Sequence, residues 1–281
     1  MKLIADSGST KTDWCLIKND GSKDFFITEG YNPFYVDVNY ICNSIRNNFN
    51  GKIEISLITE VYFYGAGCQH DNVGIMQDTL AKIFTHANSV SVNDDLLAAA
   101  YALLDDQPGF VAILGTGSNS CLYDGKQIAL NIDSLGFILG DEGSGASIGR
   151  QVIVDFLRQQ MPRDVQQLFL KTYQVTAAEL MNKVYNEPMP NRYCAGYAKF
   201  LSDPGISPEY ARQLLCASFE TFFVNLVTAY PDYNHYSFNC VGSIGYQFRD
   251  MITLVAATFN MPVGRIIPSV IHDLAEYHKN A

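Results

Sequence analysis

The stretch LIADSGSTKTDWCLI, residues 3–17, contains two apolar runs separated by a turn of small and polar residues. The first run ends at Asp6, the turn includes Ser9 and Thr10, and the second run begins at Trp14. This order predicts a strand, a tight turn and a second strand. Small residues let backbone N–H groups approach a ligand closely, and Asp6 offers the carboxylate that hydrated Mg²⁺ prefers. The turn is either a phosphate and metal cradle or a polar hairpin that binds nothing.

A second stretch, FVAILGTGSNSCLYDG at residues 110–125, repeats this pattern. Its small and polar turn runs from Gly115 to Asn119. Both copies end in an Asp-Gly pair, at 20–21 and 124–125, which is typical of hairpin turns. This self-similarity predicts two halves of related design, each offering a phosphate-binding hairpin to a cleft between them. Coincidence among short glycine and hydroxyl turns is the alternative.

The paired hairpins resemble the two phosphate motifs of the actin, heat-shock chaperone and hexokinase (ASKHA) superfamily. Within it, an ordered set of phrases is similar to the family of N-acetylglucosamine kinase-like proteins and benzoyl-CoA reductase activator-type (BadF/BadG/BcrA/BcrD) ATPases. These phrases are DSGSTKTD, VNDD, ILGTGSNS, LGDEGSGASIGRQ and CVGSIG. The resemblance departs at Ser134-Leu135-Gly136, where the kinases carry a glycine-glycine phrase.

The resemblance implies an α/β fold of two ribonuclease H-like (actin-like ATPase) domains with a central interdomain cleft. We expect the first domain at 1–106 and the second at 107–281, with a last helix at about 266–281 packing back on the first. The implied activity is ATP-dependent phosphorylation of the primary hydroxyl of an amino sugar, N-acetylglucosamine, with ATP and Mg²⁺ as cofactors. A homodimer is the family expectation.

The resemblance also implies a role for each matching residue. Asp94 is the expected catalytic base and also contacts the sugar, and Asp6 is the expected Mg²⁺ ligand, through water. The expected ATP and phosphate contacts are Ser9, Thr10, Lys11, Thr116, Gly117, Gly242 and Ser243. The expected sugar contacts are Asn32, Ser118, Asn119, Gly136 and Asp141.

Structural alternatives exist for the acidic stretch after residue 92. The sequence predicts a strand that runs into Asn93 and Asp94, followed by a helix from Asp95 to Leu104. One of these side chains could cap the helix, a role worth about 1 kcal/mol, or supply the base that accepts a proton from an attacking hydroxyl. The family phrase favours Asp94 as the base and leaves Asp95 as the cap.

Alternatives also exist for three of the expected ligand contacts. Asn32 precedes Pro33 and could form an Asx turn instead of contacting a sugar. Asp141 or Ser144 could cap the helix predicted at 146–160, whose free N–H groups would point toward a ligand. The glycine turn at Gly242 could be an ordinary strand-to-helix connection.

Composition limits the possible partners. The chain has 281 residues, 48% of them hydrophobic, and a formal charge of -10, which argues against nucleic acid or an anionic membrane as the main partner. Seven scattered cysteines without a C-x-x-C pair indicate a reducing compartment. No apolar run approaches the roughly 18 residues of a membrane-spanning helix. We therefore expect a cytoplasmic protein with a small-molecule partner.

Several local predictions complete the sequence picture. We expect strands at 53–57 and 61–64, and a last helix at 266–278. Gly145 to Gly149 matches G-x-S-x-G, but Ser147 follows a polar turn where a hydrolase elbow needs a strand, so we place it in a helix.

An ATPase that activates a redox enzyme, of the 2-hydroxyacyl-CoA dehydratase or benzoyl-CoA reductase activator type, is the alternative function that the resemblance allows. Such proteins hold an iron–sulfur cluster across a dimer, with ligands from separate segments.

Overall fold

A computed structural model describes residues 1–280 and divides the chain into two compact units. Unit 1 contains residues 1–108 and 123–128 together with the stretch from Ser269 onward. Unit 2 contains residues 109–122 and 129–268.

Unit 1 is built on a five-stranded sheet. Its elements are β1 (Lys2–Ser7), β2 (Lys11–Ile17), β3 (Lys23–Glu29), α1 (Val38–Phe49), β4 (Glu60–Gly65), α2 (Asp71–Ile83), β5 (Ser89–Asp94) and α3 (Asp95–Leu104). The strand order is β3-β2-β1-β4-β5. Short turns make β1, β2 and β3 an antiparallel meander, whereas connections through α1 and α2 make β1, β4 and β5 parallel.

The core of unit 1 forms where α1 and α2 cover the sheet. Trp14 lies at its centre, fully buried, with its ring against Phe49 and Phe63. Ile41, Ile45 and Phe49 of α1 are buried at helical spacing, as the sequence predicts.

Unit 2 repeats the strand order of unit 1. Its elements are β6 (Gly109–Leu114), β7 (Ser118–Tyr123), β8 (Ile128–Asn131), α4 (Gly136–Leu139), α5 (Gly145–Leu157), α6 (Arg163–Tyr173), α7 (Ala177–Asn186), α8 (Pro190–Ala198), α9 (Pro208–Asn225), β9 (Phe238–Val241), α10 (Ser243–Gln247), α11 (Arg249–Thr258) and β10 (Val263–Ile267). The sheet order is β10-β9-β6-β7-β8, with β6, β9 and β10 parallel. Both sheets thus begin with a meander and add two parallel strands, which confirms the predicted pair of ribonuclease H-like domains.

Two of the local predictions are wrong. Residues 53–57 do not form a strand: Ile53 donates its N–H to Phe49 O at the end of α1, and a short 3₁₀ turn follows at Ile55–Leu57. The last helix does not begin at residue 266 as predicted. Residues 263–267 form β10, which pairs with β9. Pro268 explains why the helix does not begin at residue 266, because the residue before a proline favours extended over helical backbone.

The last helix, α12 (Ile271–Asn280), begins after this proline. It packs against α3, β1 and β2 of unit 1. His278 is buried beside Tyr64, whose hydroxyl lies 2.9 Å from the histidine Nε2, and Lys2 Nζ donates to His278 O. Among residues 1–280, no helix is long and apolar enough to cross a membrane.

Candidate active site

The turn between β1 and β2 is held from inside by Ser7. The Ser7 hydroxyl lies 2.8 Å from Thr12 Oγ1 and accepts a hydrogen bond from Tyr31 N at 3.0 Å. Gly8 N donates to Lys11 O at 2.9 Å and closes the turn. The predicted phosphate residues Ser9, Thr10 and Lys11 therefore lie on a turn whose backbone is fixed by buried contacts.

Gly30, which the sequence did not single out, supports this turn from β3. Its N–H donates to Thr10 O at 3.1 Å. A Cβ at this position would lie 2.7 Å from Thr10 N and closer still to Gly8 O, so only glycine fits without a shift. A glycine directly after a strand was the available sequence signal.

Asp6 lies in a negatively charged pair across β1 and β2. It is opposite Asp13 in the strand register, and Lys11 Nζ lies 2.7 Å from Asp13 Oδ2. Burial and the charge of Asp13 raise the pKa of Asp6 to about 7, despite the opposing charge of Lys11. A half-buried carboxylate with excess negative charge around it has the chemistry that a hydrated divalent cation requires.

Asp94 lies at the carboxyl end of β5, near the end of β1 on the same sheet edge. In the parallel register Ser7 is opposite Gly65, and Gly65 is opposite Asp94. Asp94 Oδ1 accepts the Leu96 N–H at 2.7 Å, and its Oδ2 accepts the Gln69 amide at 2.6 Å. Asp94 is thus the N-cap of α3, so the prediction that Asp95 would cap this helix is wrong.

Asp95 instead occupies the first turn of α3. Burial, the charge of Asp94 with a hydrogen bond to it, and the charge of Asp6 raise the pKa of Asp95 well above its usual range. Asp95 therefore lies within electrostatic reach of both Asp94 and Asp6 at one edge of the sheet of unit 1.

Asn32 follows β3 and is buried. Its Oδ1 accepts the Phe34 N–H at 2.9 Å, so the Asx turn that the sequence allowed is present. Its amide nitrogen donates to Ser9 Oγ at 3.0 Å, which joins Asn32 to the first hairpin. The amide retains one N–H and one acceptor site for another partner.

The second hairpin, between β6 and β7, is joined to α5. Gly115 O accepts the Gly145 N–H at 2.8 Å, and Thr116 O accepts the Ala146 N–H at 3.0 Å. Ser144 caps the helix and accepts the Ser147 N–H. The prediction of free N–H groups at this helix end is therefore wrong for these three donors, because the hairpin carbonyls and the cap satisfy them.

Asp141 does not cap α5 and faces the second hairpin. Its Oδ1 accepts the Ser118 N–H at 3.1 Å, and a Cβ on Gly117 would lie 3.1 Å from its carboxylate oxygens. Burial raises the pKa of Asp141 to about 6, although the Ser118 hydrogen bond opposes this. The buried Ser118 Oγ has no hydrogen-bond partner among the described residues, which marks it as a candidate ligand contact.

Asn119 and Gly136 are the two remaining sugar contacts expected in unit 2. Asn119 Oδ1 accepts the Ser120 N–H and the Asn131 amide, both at 3.0 Å. Gly136 begins α4 with φ +69°, and a Cβ there would meet open space. Within residues 1–280, neither residue is hydrogen-bonded to Asp141.

Gly242 connects β9 to α10 and has φ +125°, which favours glycine. A Cβ at this position would collide with Leu114 O and lie 3.1 Å from Gly115 N. The turn therefore packs directly on the end of β6, and Ser243 is exposed beside it. The structure brings Gly242 and Ser243 to the base of the second hairpin.

No protein-family model matches the sequence. No curated protein matches it either. A solved structure of a candidate N-acetylglucosamine kinase from Porphyromonas gingivalis is 38% identical, with a TM-score of 0.90 over 100% of this chain and 99% of that one. The chain belongs to this N-acetylglucosamine kinase-like family. It carries the family's ASKHA-type fold, with one hairpin of related sequence on each of two related domains.

More distant solved structures share the fold of this N-acetylglucosamine kinase-like chain. A candidate N-acetylglucosamine kinase from Chromobacterium violaceum is 17% identical, with a TM-score of 0.69 over 98% of each chain. A ROK family glucokinase from Streptomyces griseus, solved with glucose and AMPPNP, is 14% identical, with a TM-score of 0.58 over 100% of this chain and 98% of that one. At these identities the likeness concerns the fold alone.

The G-x-S-x-G phrase has a packing role in the N-acetylglucosamine kinase-like chain. Ser147 lies inside α5, as predicted. A Cβ on Gly149 would collide with Cys194 O of α8, so the glycine permits close approach of two helices. No nucleophile elbow exists at this position.

Proposed function

We propose that the chain is an ATP-dependent sugar kinase that phosphorylates the primary hydroxyl of an amino sugar, converting N-acetylglucosamine to N-acetylglucosamine 6-phosphate. The observation that carries the proposal is the edge of the first sheet, where Asp94 at the end of β5 lies on the same edge as Asp6 and the first hairpin, with β4 between them. Full-length similarity to a candidate N-acetylglucosamine kinase supports the substrate.

Phosphoryl transfer mainly requires positioning and charge stabilisation. We assign Asp6 to the outer coordination shell of Mg²⁺, because its raised pKa indicates a carboxylate that a cation would favour. When bound, Mg²⁺ would neutralise charge on the terminal phosphates. Backbone N–H groups of Ser9 and Thr10, with Lys11 Nζ, would contact the same phosphates from the protein side.

The residues of unit 2 divide into two groups in this proposal. The first group binds the nucleotide: Thr116 and Gly117 would contact phosphate, and Gly242 and Ser243 the nucleoside. The second group binds sugar hydroxyls: Ser118, Asn119, Gly136 and Asp141. The unpartnered Ser118 hydroxyl beside the Asp141 carboxylate supports this second assignment.

Asp94 would act as the general base. It accepts the proton of the primary hydroxyl while that oxygen bonds to the γ-phosphorus and the bond to the β,γ-bridging oxygen breaks, releasing ADP. We prefer Asp94 to Asp95 because the family phrase places the catalytic aspartate directly after the position of Asn93. Asn32, next to Ser9 on the first hairpin, would orient another sugar hydroxyl.

The activator alternative has less support. The cysteines form no disulfide among residues 1–280; Cys42 and Cys216 are partly exposed and the others are buried. Free thiols also support our proposal of a cytoplasmic location.

A coupled assay of ADP release tests the proposal. Purified protein with ATP and Mg²⁺ is given N-acetylglucosamine, N-acetylmannosamine, glucosamine, glucose or no sugar. We expect N-acetylglucosamine to give the highest kcat/KM and a product phosphorylated at the 6-position by ³¹P and ¹H NMR. Equal ADP release with and without every sugar would contradict the kinase assignment. Iron and sulfide in anaerobically purified protein would favour the activator.

A further inference from the structure

The segment between β4 and α2, residues 66–70, joins several parts of the candidate site in unit 1. Ala66 N donates to Ser7 O at 2.8 Å, at the start of the first hairpin. The Asn72 amide donates to Gly67 O at 3.1 Å. Cys68 N donates to Gly65 O at 3.0 Å. These hydrogen bonds connect the segment to α2 and to the end of β4. We call residues 66–70 the β4–α2 loop.

The loop also contacts Asn32. Gly67 has φ +79°, and a Cβ there would lie 2.6 Å from Asn32 Oδ1. The carbonyl side of the Asn32 amide therefore packs against the loop backbone. The residue assigned to a sugar hydroxyl and the loop share one packed surface.

Gln69 is the loop residue that reaches the proposed base. Its Nε2 donates to Asp94 Oδ2 at 2.6 Å, while Leu96 N donates to the other oxygen at 2.7 Å. Two donors on opposite oxygens fix the plane of the carboxylate. Without Gln69, Asp94 would keep the Leu96 cap and its hydrogen bond with Asp95 but would lose the donor on Oδ2.

The backbone after Gln69 has an uncommon conformation. His70 has φ 49° and ψ -128°, which residues with a side chain rarely adopt. His70 is the N-cap of α2 but makes no side-chain capping hydrogen bond. The backbone carbonyl of Gln69 accepts the Asn72 N–H at 3.1 Å, which connects Gln69 to the first turn of α2.

We propose that Gln69 is a positioning residue that holds the Asp94 carboxylate for proton acceptance from the sugar hydroxyl. This inference rests on the proposed function. Gln69 acts through Asp94, so its loss should lower kcat more than it changes KM for ATP. A misplacement of about 1 Å can cost about 100-fold in rate.

Two substitutions separate the hydrogen bond from packing. Gln69→Leu removes the donor, and Gln69→Glu keeps the shape but places a second carboxylate against Asp94. We expect kcat to fall about 100-fold in both, with KM for ATP within about twofold. If Gln69 only filled space, Gln69→Leu, which keeps a side chain of similar bulk without a donor, would retain kcat, and this result would overturn the inference.

Matched controls remove comparable contacts elsewhere in unit 1. Gln77→Leu alters a glutamine on α2 whose Nε2 donates to Val90 O of β5 at 3.0 Å. Asn72→Ala removes the bond to Gly67 O and loosens the loop without touching Asp94. We expect Gln77→Leu to keep wild-type kcat and Asn72→Ala to lose less than Gln69→Leu. A larger loss in Asn72→Ala than in Gln69→Leu would favour general loop integrity over the specific bond and overturn the inference.

The double variant Gln69→Leu/Asp94→Asn provides the deciding measurement. A residue that acts through Asp94 adds no further loss once Asp94 is altered, so the double variant should match Asp94→Asn in kcat. If the kcat losses of the two single variants multiplied in the double variant, Gln69 would act independently of Asp94, and the inference would be overturned. A wild-type protein that phosphorylates no sugar would overturn the proposed function together with this inference, whereas active wild type and unimpaired Gln69→Leu would overturn the inference alone.

Discussion

Substituting Asp6 by asparagine should make the ligand-free protein more stable and catalytically inactive. The carboxylate lies opposite Asp13, with burial the largest cause of its raised pKa. Asparagine keeps the shape of the side chain and removes the charge. The variant therefore separates the stability cost of this carboxylate from its proposed use as a metal ligand.

The size and pH range of the effect follow from the pKa. Folding raises it from 3.8 to about 7, which corresponds to at most about 4 kcal/mol. Because the folded state binds the proton more tightly, the stability from this group is fully present below pH 3.8 and is lost as pH rises through about 7. The advantage of Asp6→Asn should therefore be largest above pH 8, by about 1–4 kcal/mol, and should vanish near pH 3.8.

Urea unfolding between pH 4 and pH 9, with and without Mg²⁺, measures this effect. We expect the stability difference to grow with pH in the absence of metal. Millimolar Mg²⁺ at pH 8 should stabilise the wild type and leave Asp6→Asn unchanged, because ligand that binds only the folded state adds to its stability. A variant that is less stable than the wild type at pH 8, or a difference independent of pH, would refute the reasoning.

Three further predictions test other parts of the structure. Gly30→Ala places a Cβ against Gly8 O and should cost about 1–3 kcal/mol in urea unfolding and raise KM for ATP; equal stability would contradict the close packing. The pKa of Asp141 near 6 predicts weaker sugar binding below pH 6, as the carboxylate gains a proton, and calorimetry with Asp141→Asn should give weak binding without this pH dependence. Burial lowers the pKa of His278 from 6.5 to about 4, so the free energy of unfolding should fall by up to about 3 kcal/mol as pH drops through this range. His278→Gln should remove this dependence of the unfolding free energy on pH.

The repeated hairpins were predictable because they depend on local sequence. An apolar strand, a glycine and hydroxyl turn and a second strand occupy one short stretch in each copy, and both are present. The pair of ribonuclease H-like domains around them followed from the resemblance. The helix predicted at 146–160 is present as α5, which buries one face.

Partners distant in sequence explain what the sequence did not predict. The N–H groups of α5 are satisfied by carbonyls of the second hairpin, about 30 residues earlier. Asp94 and Asp95 are adjacent and chemically identical, so only the observed bond to Leu96 N distinguishes the cap. Gln69 contacts Asp94 across 25 positions in the chain, and no local pattern marks that contact.

The kinase activity of Asp94→Asn against the wild type, with N-acetylglucosamine, ATP and Mg²⁺, tests the central claim most directly. Asparagine retains an oxygen for the Leu96 N–H but accepts no proton from the sugar. The account predicts an unchanged fold by circular dichroism and a loss of about 10²–10⁴-fold in sugar-dependent ADP release. Near-normal phosphorylation by Asp94→Asn would contradict it.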